Sequence, residues 1–322
     1  MRRTGGLPPG VNIQYWWTVK DEGGNKIETS PAILKFSDER YSWQSLRRSM
    51  VTLYWYGEER SFADEIMLAI GDSLDWLEED TGAVLLEPIE IYLYANSQDL
   101  QGSMIFPHEW TGGVTYPEYR CIVIGFGPED FDWGKRVLVH ELTHMVVHQI
   151  TSSPYGGMPT WLDEGLAMRS EGPLAYYFVT LFDRAIANDS LISVQSISSP
   201  FSAVSELSYL SYAESYYLID YLITTYGKDK MFSLLETFGE GASYDGALME
   251  VYDFDTSDLN QQWQEYLSPP VEQAPEPEEE SAETVSEGKG INPALAGTLA
   301  ALVTAVLLLL SLATERWTWR RG

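Results

Sequence analysis

The sequence predicts an α+β fold, and three observations carry that prediction. Up to about residue 125, strand-like runs separated by turn residues surround one long helical stretch. From Val137 to Leu267 apolar residues recur at helical spacing, interrupted by Gly-, Pro- and Ser-rich connections. Beyond Ser268 the composition turns to Pro and Glu, and then to an unbroken apolar run. The resulting layout is a small, partial β-sandwich-like domain over 1–57 and a second domain over 58–268 with a helical second half. An acidic linker over 269–292, a transmembrane helix over 293–314 and a short basic tail over 315–322 follow. A chain of 322 residues can bury one sizeable core plus a small accessory domain.

Each element rests on a local pattern. The stretch from Val11 to Val19 alternates and is rich in aromatics, Asp21 to Asn25 is a turn, and Ala32 to Phe36 is a second strand. Val51 to Gly57 is a third. Three or four strands make only part of a sandwich, and no apolar run of signal-peptide length follows Met1. Both features lead us to expect a true N-terminus upstream of Met1. Glu59 to Asp80 is helical, with Phe62, Ile66, Ala69, Ile70, Leu74 and Leu77 on one stripe. Ile89 to Tyr94 and Arg120 to Gly125 read as strands. Further helices are expected over 173–188, 207–226, 229–238, 244–251 and 259–267, with a Ser-rich loop at 190–205.

The tail has a different chemistry. Pro269, Pro270, Pro275 and Pro277 mix with Glu272, Glu276, Glu278, Glu279 and Glu280, too little apolar surface to fold and enough charge to extend the chain. Ala294 to Ala313 is twenty residues without a charge, a helical length of about 30 Å that spans a bilayer. Trp317 and Trp319 suit the interface, and Arg316, Arg320 and Arg321 place the C-terminus in the cytoplasm and the folded domain outside the cell. No Leu-Pro-x-Thr-Gly sorting signal precedes the apolar run. A net charge of −28 argues against nucleic acid, because like charges repel the phosphates. Cys121 is the only cysteine, so the chain has no intrachain disulfide, and its strand-like setting makes it a core residue.

The chemistry concentrates between Val137 and Ile150. In a helix His140 and His144 lie one turn apart on one face, where two neutral imidazoles can share a tetrahedral zinc ion. Glu141 sits about 100° round from His140, within reach of a water on that ion as a general base. This is the content of His-Glu-x-x-His. A catalytic zinc takes three protein ligands and keeps one position open. Pro159-Thr-Trp161-Leu-Asp163-Glu164-Gly165-Leu-Ala167 reads as a turn and a second helix, and brings Glu164 back as the third ligand.

His-Glu-x-x-His followed by Trp-Leu-x-Glu-Gly-x-Ala resembles the gluzincin metallopeptidases, in particular the peptidase MA-like family, and more distantly the aminopeptidase N family. The resemblance covers about Ser61 to Leu267. It implies a thermolysin-like catalytic domain in which His140, His144 and Glu164 bind Zn2+, Glu141 is the catalytic base, and a peptide or protein is the substrate. In the aminopeptidase relatives a tyrosine opening a later helix stabilises the oxyanion. Tyr212 in Tyr212-Ala-Glu214 stands at that position, with Glu214 replacing the family's lysine. The same relatives anchor the substrate amine with a Gly-x-Met-Glu-Asn stretch. Gly112-Gly113-Val114-Thr115-Tyr116 takes its place, so Thr115 replaces the glutamate and an endopeptidase is favoured over an aminopeptidase.

Other side chains have plainer readings. Asp163 suits the first turn of its helix through the dipole. His148, two turns from His140, cannot easily join the same ion and reads as a supporting or boundary residue. His108 reads as a surface histidine. Met168 stands where thermolysin has an aspartate, and Ile150 and Val147 exclude the metzincin pattern. The rival classes are a catalytically inactive, membrane-tethered binding or scaffold protein on the same fold, and a metallohydrolase acting on something other than peptides.

Overall fold

The computed structural model describes residues 7–104 and 112–268. Four short strands come first: β1 (Asn12–Tyr15), β2 (Thr18–Lys20), β3 (Lys26–Glu28) and β4 (Ala32–Lys35). They form two separate antiparallel pairs, β1 with β4 and β2 with β3. The expected single strand from Val11 to Val19 therefore divides at Trp16 and Trp17, and its two halves join different ladders.

β5 (Gln44–Arg48), β6 (Val51–Trp55), β7 (Ile89–Tyr94), β8 (Gly113–Tyr116) and β9 (Cys121–Gly125) build a five-stranded sheet in the order β5-β6-β7-β9-β8. β6, β7 and β9 run parallel, while β5 and β8 close the two edges antiparallel. This sheet crosses residue 57. Of the strands expected over 1–57, the one at Val51 to Gly57 thus separates from the others: as β6 it belongs to this sheet, beside β5, which the sequence pattern does not mark. All described residues lie in one compact unit.

Alternation along the central strands explains why the sheet is covered on both faces. Ile89, Ile91 and Leu93 of β7, with Ile122 and Ile124 of β9, point into the main core. Tyr92, Tyr94, Cys121 and Val123 point the other way, into a smaller cluster with Tyr41, Trp43 and Tyr56. Cys121 is buried there, as a core residue. The main core is closed by α1 (Arg60–Thr81) and α3 (Phe131–Thr151), which lie against the sheet; the short α2 (Ser97–Gln101) falls between them in the chain.

The remaining helices are α4 (Thr160–Ser170), α5 (Tyr176–Ala187), α6 (Val194–Ile197), α7 (Ser205–Tyr226), α8 (Lys228–Gly239), α9 (Tyr244–Tyr252) and α10 (Thr256–Leu267). The fold is thus mixed α+β, with a β-rich first part and a helical second half. α4 packs against α7, and Gly165 permits the close approach. A Cβ there would lie 2.5 Å from the Ser215 carbonyl oxygen and 2.6 Å from Ile219 Cγ1. Arg169 of α4 adds a polar tie, donating to both carboxylate oxygens of Asp80 at 2.8 and 3.1 Å and to Asp220. That one guanidinium joins α1, α4 and α7.

Among the described residues no helix is long and apolar enough to cross a membrane. The segment 293–314, the linker before it, the basic tail and His108 lie outside the described residues.

Candidate metal centre

α3 starts against the sheet because Gly134 lets it close on the ring of Phe126; a Cβ would sit 2.1 Å from that ring. Packing of Leu138, Leu142, Met145 and Val146 into the core turns the opposite face of α3, with His140 and His144, toward α4. The two imidazole centroids are 4.7 Å apart. α4 is held alongside by Thr143, which donates to the Val139 carbonyl at 2.9 Å and lies 2.6 Å from the Ser170 hydroxyl.

The structure brings together the three residues read as ligands. Glu164 Oε2 lies 3.5 Å from His140 Nε2 and 3.7 Å from His144 Nε2. A tetrahedral ion with bonds of about 2.0–2.1 Å sets its ligand atoms about 3.3 Å apart. Both distances from Glu164 thus stand near the separation a shared zinc requires, and all three ligand atoms lie within 4.8 Å of one another. Glu164 Oε2 is also buried without a hydrogen-bond partner, an arrangement that leaves a desolvated acceptor needing a cation.

The other nitrogen of each histidine is occupied, and this decides which nitrogen faces Glu164. His140 Nδ1 lies 2.8 Å from Glu171 Oε1, and His144 Nδ1 lies 2.6 Å from Asp163 Oδ1. A carboxylate on Nδ1 keeps the proton there and presents the Nε2 lone pair, the tautomer a metal ligand needs. Asp163 does more than complement the helix dipole: its Oδ2 also accepts from His148 Nε2 at 3.0 Å. His148 thus joins the supporting set through Asp163.

The electrostatics call for positive charge. Burial alone would push the His140 imidazolium toward neutrality, but Glu164 and Glu171 outweigh it and lift its pKa to about 10. His144 is raised in the same way, burial opposing and Asp163 prevailing. Burial raises Asp163, yet His144 and His148 overcome it and hold its carboxyl well below the usual range. A divalent cation between the Nε2 atoms would supply the charge that protons otherwise provide. The residues present fit a zinc ion.

Glu141 meets β8 at Thr115. The Thr115 hydroxyl lies 2.8 Å from Glu141 Oε2 and 2.7 Å from the Glu141 backbone oxygen. Tyr212, in the second turn of α7, packs edge-on against Phe201 at 5.0 Å. Burial first, then the carboxylates of Glu164, Glu141, Asp163 and Glu171, raise its pKa, so the phenol stays protonated as a donor. Glu214, two residues on, is fully buried and faces elsewhere: its Oε1 accepts from the Ile192 amide at 2.9 Å, and its Oε2 has no partner.

Sequence reasoning missed Glu171 and gave Thr115 no role of its own here. Glu171 did leave a signal, because it stands seven residues after Glu164 and so falls on the same face two turns on.

Comparison with known proteins identifies the class. Residues 69–269 match the family model described as the Peptidase MA superfamily, which is well over half of the chain. The chain belongs to the Peptidase MA superfamily. Among solved structures it is similar to an aminopeptidase N family protein from Idiomarina loihiensis, at 14% identity and a TM-score of 0.41, covering 79% of this chain and 53% of that one. A second is an M1 zinc metallopeptidase from Deinococcus radiodurans, at 10% identity and a TM-score of 0.40, covering 82% and 63%. A third is aminopeptidase A from Legionella pneumophila in complex with aspartic acid, at 10% identity and a TM-score of 0.39, covering 78% and 28%. The chain spans less than two thirds of each of these. No curated protein matches it.

Proposed function

We propose that this protein is a zinc-dependent endopeptidase tethered to a membrane by its C-terminal segment. The observation that carries the hydrolytic reading is the convergence of His140 Nε2, His144 Nε2 and the unpartnered Glu164 Oε2 on one point. His140, His144 and Glu164 would hold the ion. When bound, zinc supplies Lewis acidity to water and to the scissile carbonyl.

The chain's own groups then divide the work. Glu141 takes a proton from the attacking water and returns it to the leaving amine. Tyr212 donates its hydroxyl proton as a hydrogen bond to the carbonyl oxygen as negative charge develops there. Asp163 and Glu171 hold the two imidazoles in register. Thr115, at the place where the resemblance to aminopeptidases calls for a glutamate, offers no counter-charge to a free amine, which supports internal cleavage of peptide or protein substrates. The uncharged stretch over 293–314, flanked by Arg316, Arg320 and Arg321, supports a single-pass anchor with the peptidase domain outside and the C-terminus in the cytoplasm.

The test is hydrolysis of casein and of N-terminally blocked peptides with and without a chelator, beside Glu141→Gln. We expect the blocked peptides to be cut, the chelator to abolish cutting, and Glu141→Gln to keep zinc while losing about 10²–10⁴-fold in kcat. Release of N-terminal residues alone would overturn the endopeptidase assignment, and an active Glu141→Gln variant would overturn the role of Glu141. Protease protection of the C-terminus in intact cells tests the orientation; digestion of the tail from outside would reverse it.

A further inference from the structure

β8 is one of the two edge strands of the sheet, and it lies against α3. Two adjacent glycines allow that approach. A Cβ on Gly112 would stand 2.6 Å from the Trp133 ring, and one on Gly113 would stand 2.8 Å from Glu141 Cγ and 3.1 Å from Val137. Side chains two apart on a strand share a face, so Gly113 and Thr115 both address α3. The first makes room for the Glu141 side chain, and the second places a hydroxyl against its carboxylate.

We propose that Thr115 is a positioning residue for Glu141: its hydroxyl donates to Glu141 Oε2, fixes the carboxylate plane and leaves Oε1 to exchange the proton. This rests on the reading of Glu141 as general base. The geometry offers the single hydroxyl proton two acceptors, the Glu141 backbone oxygen at 2.7 Å and Oε2 at 2.8 Å. The backbone oxygen belongs to a helical residue and is the weaker acceptor; the carboxylate makes the stronger, charge-assisted bond. Thr115 is itself well fixed, being β-branched and paired with Ile122 across the β8–β9 ladder. A glutamate's terminal torsion is otherwise broad, so an unanchored carboxylate would sample orientations in which neither oxygen faces the water.

The replacement seen at the sequence level thus acquires a function. Thr115 stands in the stretch where aminopeptidases keep an acid, and here it serves the catalytic base rather than the substrate.

The experiment compares Thr115→Val and Thr115→Ser with the unmodified protein and Glu141→Gln. Valine keeps the shape and branching of threonine but removes the donor; serine keeps the donor. We expect Thr115→Val to bind zinc normally, to keep KM within about twofold, and to lose about tenfold to a hundredfold in kcat. Thr115→Ser should recover most of that loss. Crystal structures of the two variants without metal supply a readout independent of turnover, with the Glu141 carboxylate rotated in the valine variant and unmoved in the serine variant. Unchanged kcat in Thr115→Val, or an unmoved carboxylate in its structure, overturns the proposal. An active Glu141→Gln protein would instead overturn the reading beneath it.

Discussion

Glu214 offers a sharp test of how this fold treats buried charge. Its side chain is fully buried, with one oxygen bound to the Ile192 amide and the other without a partner. Burial pushes its carboxyl up to about 8, from an ordinary value of 4.5. Between those two values the folded protein keeps a proton that the unfolded chain has released. Fewer protons are bound on unfolding, so stability must fall as pH rises through that window, and it is flat outside it on account of this group. Each pKa unit corresponds to about 1.4 kcal/mol, so at pH 7 the ionisable side chain costs roughly 3 kcal/mol relative to its uncharged form.

Glu214→Gln replaces the acid by a neutral group of the same shape and keeps the oxygen that receives the Ile192 amide. The variant should match the unmodified protein near pH 4.5 and exceed it by roughly 3 kcal/mol at pH 7. In a domain of this size that is a rise of about 6–12 °C in Tm. Thermal and urea unfolding of both proteins at matched pH values from 4.5 to 8.5 measures the difference directly, and other titrating groups cancel in it. Parallel stability curves across the whole range would show that Glu214 is not held uncharged, and would refute the reasoning.

Two further perturbations address the site and its scaffold. Glu171→Gln and Asp163→Asn each weaken the hold on one ligand imidazole, and each should lower zinc affinity by about 10–100-fold in chelator competition while the fold survives; unchanged affinity in both would remove these carboxylates from the account. Gly165→Ala drives a methyl group into the Ser215 carbonyl and should destabilise the domain by about 1–3 kcal/mol, with loss of the α4–α7 contact visible as a lower Tm; an unaltered Tm would mean that the helices part freely.

The metal helix was legible because its chemistry is local. His140, Glu141 and His144 sit at helical spacing inside an apolar run, and Glu164 follows in a second motif with its own pattern. The long helices were legible for the same reason: α1, α7 and α8 carry stripes of core residues that any packing partner would bury. What escaped was what depends on approach between elements. Glu171 ends α4 as an ordinary exposed-looking acid, and only the return of α4 along α3 sets it on His140. Thr115 gains its role from the strand lying within contact of Glu141. β5 escaped for a different reason: Gln-Ser-Leu-Arg-Arg has little apolar patterning, and its strand exists through backbone pairing with β6 at an edge of the sheet. Conversely, the run from Val11 to Val19 looks continuous in pattern, while its pairing breaks at Trp16 and Trp17 and the two halves join different partners.

If two imidazoles and the Glu164 carboxylate share one zinc ion, elemental analysis will find it. Zinc should be measured in the purified protein and in His140→Asn, His144→Asn and Glu164→Gln variants of confirmed fold. One zinc per chain is expected in the unmodified protein, removable by chelator with loss of hydrolysis, and a marked loss of bound metal is expected in all three variants. A protein that hydrolyses peptides with no zinc bound, or a Glu164→Gln variant that holds zinc as tightly as the original, would contradict it.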